Sequence, residues 1–195
     1  VGLGAKLAAI SRNTLQGTLQ ATQGPLDLAV QGKGYFQVTL PDGSIAYTRD
    51  GSFQLSPDGI IVTADGFQLQ PAITIPPNAT SVSVNQSGQV SVTIQGQADP
   101  QILGQFETAS FINPPGLLAQ GNNLFVETSA SGTPQLGTPG ADGFGTITQG
   151  FLENSNVNPI TELTNLIKAQ RVYEMCSTAI TKSDQMLSTL HQATA

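Results

Sequence analysis

The 195-residue chain has no tryptophan, one cysteine and one histidine, and charged residues make up only 10% of it. A single thiol, Cys176, excludes an intramolecular disulfide and a zinc cluster built from cysteines. Seven Lys and Arg stand against thirteen Asp and Glu, for a net charge of −6. So few cations cannot neutralise a run of phosphates, which argues against nucleic acid, and the same balance disfavours docking on anionic lipid. No apolar run reaches the length of a membrane span. No basic start followed by an apolar stretch opens the chain, so no cleavable signal is visible, although the first residue is Val1 and not Met. Low charge does not mean disorder here. Hydrophobic residues reach 38% and include many Val, Ile and Phe, which favours a folded, β-rich protein.

Glycine (21) and proline (12) are plentiful and divide the chain into many short segments. Three zones follow from the pattern. Residues 1–34 are small and polar, with Gln16, Gln20 and Gln23 among scattered Leu, and are expected to form an extended arm that pairs at a sheet edge. Residues 35–152 are expected to be the β-rich outer domain. Its clearest signal is a series of turn dipeptides, Asp42-Gly43, Asp50-Gly51, Asp58-Gly59 and Asp65-Gly66. Asp-Gly supplies the backbone conformations that tight hairpins need. Between these turns lie short runs of β-formers, and Phe36, Val38 and Leu40 alternate with polar residues as in a strand with one buried face. The expected module is an antiparallel β-meander, small and barrel-like. Further strands are expected at 81–84, 90–94, 102–106 and 124–127, and residues 129–145 should form a long surface loop.

The third zone, 153–195, changes period. Asn158-Pro159 is a helix start, with Asn capping free N–H groups and Pro suited to the first helical position. No Gly or Pro follows as far as Leu190. Leu166, Ala169, Tyr173, Cys176, Ile180, Ser183, Leu187 and Leu190 succeed one another in steps of three and four, the seam of a helix that packs along another helix. At about 1.5 Å per residue such a helix is roughly 48 Å long, more than a small β domain covers. The fold class is therefore mainly β with one long, coiled-coil-like C-terminal α-helix.

Reactive chemistry finds little support. The Asp-Gly series lacks the ligand density of a calcium repeat or an EF-hand, and hairpin turns are the better reading. Gly32-Lys33-Gly34 lacks the spacing of a phosphate loop and leads into a strand. His191 cannot build a metal site alone. Cys176 sits on the seam, where a small apolar residue is expected, and Glu174 beside it would oppose a thiolate. Glu162, Glu174 and Asp184 fall on the exposed side of the helix. No catalytic residue, cofactor or metal site is expected.

Several segments resemble the flagellar rod and hook protein family. They are Gly34-Tyr35-Phe36-Gln37-Val38, Tyr47-Thr48-Arg49-Asp50-Gly51-Ser52-Phe53, Asp58-Gly59, Gly66-Phe67, the run from Gly150 to Asn158, and Gln170-Arg171-Val172-Tyr173-Glu174. Within that family, the run from Gln68 to Pro76 is more similar to distal-rod members than to proximal-rod or hook members. The resemblance implies a structural subunit that stacks with copies of itself into a helical tube, with terminal helices as inner wall and β domains as outer layer. It implies export by the flagellar type III system, a place in the periplasm-spanning basal body, and contacts with proximal rod, hook and ring proteins. The family also begins with an N-terminal helix that pairs with the C-terminal one. No such helix lies in this sequence, so further residues are expected upstream.

Three other readings make distinct demands. A proximal rod or hook-like subunit belongs to the same class. A β-rich periplasmic binding module requires an exposed aromatic groove, whereas Tyr35, Phe36, Phe53 and Phe67 occupy strand positions suited to a core. A hydrolase requires carboxylates that converge on a pocket.

Overall fold

The computed structural model of the chain describes residues 12–96, 99–141 and 143–193. Residues 1–11 of the expected arm lie outside the described residues. Two compact units meet between Asn154 and Ser155, a β body and a helical unit.

The body is built from short strands. The first seven are β1 (Leu19–Ala21), β2 (Leu28–Gln31), β3 (Phe36–Thr39), β4 (Ile45–Thr48), β5 (Phe53–Leu55), β6 (Ile61–Thr63) and β7 (Gln68–Gln70). Next come β8 (Ala79–Val84), β9 (Gln89–Ile94), β10 (Gln101–Gln105) and β11 (Thr108–Ser110). The last five are β12 (Leu118–Gly121), β13 (Leu124–Val126), β14 (Gln135–Gly137), β15 (Thr146–Gln149) and β16 (Phe151–Glu153). A seven-stranded sheet runs β12-β13-β4-β3-β7-β6-β5 and a three-stranded sheet runs β10-β9-β8, with two-stranded pairs β1-β16, β2-β15 and β11-β14. Every pairing of these strands is antiparallel. Both larger sheets keep open edges, so the barrel-like closure expected from sequence does not occur.

The meander expectation meets one break. β5, β6 and β7 follow one another as neighbours, but β7 pairs with β3, and β4 does not pair with β5. The cause is Asp50-Gly51. Gly43, Gly59 and Gly66 adopt φ of 82°, 78° and 86° and close hairpins in the left-handed region. Gly51 is not among the positive-φ glycines. Its neighbour Asp50 instead turns the chain by accepting from the Ser52 N–H at 3.0 Å through Oδ1, and the Leu28 N–H donates to the Gly51 carbonyl at 3.0 Å. Asp50-Gly51 is thus a crossing between strands, not a hairpin.

The main core gathers Phe36, Val38, Ala46, Phe53, Ile61, Leu69, Val90, Val92, Phe106 and Ile147, with Leu28 and Val30 from β2. The expected arm therefore does more than lie on an edge, because its residues 28–30 are buried and paired to β15. On the other face of β3 and β4 sits a smaller cluster of Tyr35, Tyr47, Ala109, Phe111 and Leu117. Two covered faces explain why Gln37, opposite Tyr47 in the ladder, is buried although the alternation suggests an exposed side. The segment 129–145 is not all surface. It holds β14, and it buries Ser131, whose hydroxyl donates to the Thr128 carbonyl at 2.9 Å. Phe36 is fully buried and meets Phe53 edge-on with ring centroids 5.1 Å apart. Phe36→Ala is expected to cost about 3–5 kcal/mol of body stability, readable as a shift in the urea midpoint.

Candidate interaction surfaces

The helical unit is one helix, α1 (Pro159–Ala193). Asn158 opens it, its Oδ1 accepting from the N–H of Ile160 at 3.0 Å and of Thr161 at 3.4 Å. Glu162 in the first turn complements the positive end of the helix dipole.

The seam positions all lie on α1, and their large side chains are open. Leu166, Tyr173, Ile180, Leu187 and Leu190 are 56–76% exposed, and Ala169 and Cys176 are exposed too. Apolar residues extend beyond the seam. Ile160, Leu163 and Ile167 form a second row near the start, and Val172, Met175, Ala179 and Met186 a third toward the end. At 100° per residue these rows fall on different sides of the cylinder. A helix that is apolar on several sides can be covered from several sides.

Its polar residues fit that reading. The hydroxyls of Thr164, Thr178, Thr181 and Thr189 donate to the carbonyls of Ile160, Glu174, Ser177 and Gln185 at 2.7–3.1 Å. Such back-bonding satisfies the donor inside the helix, so these threonines can enter a dry contact without an unmet hydrogen bond. His191 lies in the last turn, and its side chain is outside those described.

On the body, the edge strand β12 is exposed at every residue, and single large apolar residues, Ile102, Ile112, Leu118 and Leu136, stand at the surface. Open edges offer backbone groups to another chain. The aromatic residues do not form such a surface: Tyr35, Phe36 and Phe53 are buried, and Phe67 packs against the core. An open groove of about 580 Å³ is lined by Leu26, Leu55, Pro57, Ile75, Pro76 and Val82, and Asp58 is the one acid along it. A lone carboxylate does not make the converging pair that a hydrolase needs. Among the described residues no group of three His, Cys, Asp or Glu is placed to hold a metal.

Burial, opposed by the Arg49 guanidinium, raises the Tyr35 phenol above its ordinary value of 10.0, and burial also raises Tyr47. For an acid raised on folding, the stability linked to its neutral form is present below the unfolded pKa and is lost as pH rises through the folded one. The body should therefore lose stability above about pH 10, and Tyr47→Phe should flatten that loss in urea titrations followed by circular dichroism.

One polar node escaped the sequence reading. Arg49, noted only within a motif, pairs with Glu153 at 2.8 Å. It also donates to the carbonyls of Val30, Gly32 and Gly34 at 2.9–3.0 Å. No spacing in a single sequence reveals a pair 104 residues apart.

Comparison with known proteins matches residues 29–92 to the flagellar hook protein FlgE/F/G D1 domain and residues 148–193 to the flagellar basal body rod FlgEFG protein C-terminal model. The chain is 50% identical over 192 residues to the flagellar basal-body rod protein FlgG of Caulobacter vibrioides, covering 98% of this chain and 73% of that protein. The Bacillus subtilis protein of the same name is 38% identical, covering 97% and 73%. Likeness to the Salmonella typhimurium flagellar hook protein FlgE is 42% but covers only 59% of the chain and 28% of that protein.

Proposed function

The chain belongs to the flagellar basal-body rod protein FlgG family, and we propose on that premise that it is a structural subunit of the distal rod, the stiff shaft that carries torque from motor to hook. The observation that carries the mechanism is α1, whose apolar side chains are exposed along its length and on more than one side. Covered by helices of neighbouring subunits, each large side chain would contribute about 1.5–3 kcal/mol. Repeated in every subunit of a helical array, such contacts give a rigid tube without any single strong bond. The turn-rich β body would form the outer layer, its open edges and surface apolar residues meeting adjacent bodies. Likeness to rod proteins runs through nearly the whole chain and likeness to the hook protein does not, which favours rod over hook.

The subunit meets copies of itself and, at the two ends of its segment, proximal rod and hook proteins, with ring proteins around it. Its route is the flagellar type III channel across the periplasm. The family is structural, and this reading requires no turnover and no cofactor. Deletion of the gene should leave basal bodies that stop short of the hook and cells that do not swim, and labelled protein should locate to the rod of purified basal bodies. Hooked, rotating flagella in the deletion strain would overturn the proposal.

A further inference from the structure

The antiparallel pair β1-β16 ends at Leu19 opposite Glu153. At that end the chain runs on through Asn154 toward α1, while the segment before Leu19 stays on the body, Gln16 bonding to Val30 and Gly32 and Arg12 to Leu117. A short ladder loaded at such an open end unzips one pair at a time, and only three residue pairs hold this one. The open end is tied by more than the ladder. The Asn154 N–H donates to the Thr18 carbonyl at 2.9 Å. The Gly17 N–H donates to Glu153 Oε1 at 2.9 Å, while Glu153 Oε2 takes Arg49 Nε at 2.9 Å. Arg49 in turn grips three carbonyls around the β2–β3 turn, and the pair is mostly buried, its side chains only 20% and 12% exposed.

We infer that Arg49 and Glu153 form a latch that closes this fork, Arg49 acting as a positioning residue that holds Glu153 and, through it, the root of the segment leading into α1. Charge-assisted bonds from a planar guanidinium suit the task, because one side chain joins β2, the β2–β3 turn and β16 at once. The latch places the point where force on the chain beyond Asn154 enters the body on a covered ion pair, not on the three-pair ladder alone. The inference rests on the geometry of the body and does not depend on the rod reading.

Hydrogen exchange on the whole chain tests it. Glu153→Ala should speed exchange at the fork amides, Gly17 and Asn154, by about tenfold or more. The core amides of Ile75 and Phe106, bonded to the Gly59 and Gly88 carbonyls, should change less than about twofold. Arg49→Ala should open the same fork, and the double variant should exchange there no faster than Glu153→Ala alone, since Arg49 acts on the fork through Glu153. Arg49→Lys, which keeps the charge without the planar fork, should fall between wild type and Arg49→Ala and serves if the alanine variant does not fold. Additive effects of the two substitutions, a rise spread evenly over fork and core, or an unchanged fork would each overturn the latch.

Discussion

Ile180→Asp should abolish assembly while leaving the thermal transition of the β body where it is. Ile180 stands mid-seam on α1 with a 62% exposed side chain, and the body keeps its own core from Leu28 to Ile147. A carboxylate forced into a dry helix contact without a partner costs several kcal/mol, or else the contact does not form. Since about 1.4 kcal/mol is a factor of ten in an equilibrium constant, the concentration needed for assembly should rise by roughly a hundredfold or more. Ile180→Val keeps the shape and should cost no more than about 0.5–1.5 kcal/mol per buried copy. Light scattering and negative-stain microscopy read the assembly, and far-ultraviolet circular dichroism with a thermal scan reads the body. An equal loss from both substitutions would point to a general weakening of the helix and not to a contact at this position.

The second large effect belongs to the body. Gly51→Ala would place a Cβ 1.5 Å from the Leu28 carbonyl oxygen, which no rotamer can relieve because both partners are backbone. The chain must separate there, losing the Leu28–Gly51 hydrogen bond and disturbing β2, which is buried. A destabilisation of roughly 3 kcal/mol or more is expected, at the upper end of what overpacking causes. Gly43→Ala makes an instructive contrast. A Cβ there meets nothing within 4 Å, and the cost comes only from a φ of +82°, about 1 kcal/mol. The same Asp-Gly dipeptide is thus glycine for two unrelated reasons. Urea titration of the two variants should separate them by roughly 2 kcal/mol.

That contrast also marks what one sequence can disclose. Local chemistry was legible: Asp-Gly marks hairpins at Gly43, Gly59 and Gly66, and Asn158-Pro159 marks the start of the helix. Alternation at Phe36 and Val38 identified a core strand. It missed the second covered face because Gln37 is polar, and only the tertiary cluster of Tyr47 and Phe111 shows that β3 is enclosed. The break at Gly51 depends on a close approach by β2, and the Arg49–Glu153 pair on a contact far apart in the chain. Neither leaves a periodic trace. The strands β11, β12, β14, β15 and β16 were missed for a related cause, since each is three or four residues long and is held by its partner and not by its own pattern. On the helix, the three-four rhythm singled out one seam and passed over Val172, Met175 and Met186, because a pattern search for one stripe treats a second stripe as noise.

The central claim is that assembly runs through α1. The most direct measurement compares the protein as its gene encodes it with a version ending at Asn154, by light scattering and electron microscopy at matched concentration. The account predicts ordered tubes from the first and a folded, dispersed body from the second. Tubes of the same diameter and symmetry from the version without the helix would contradict it.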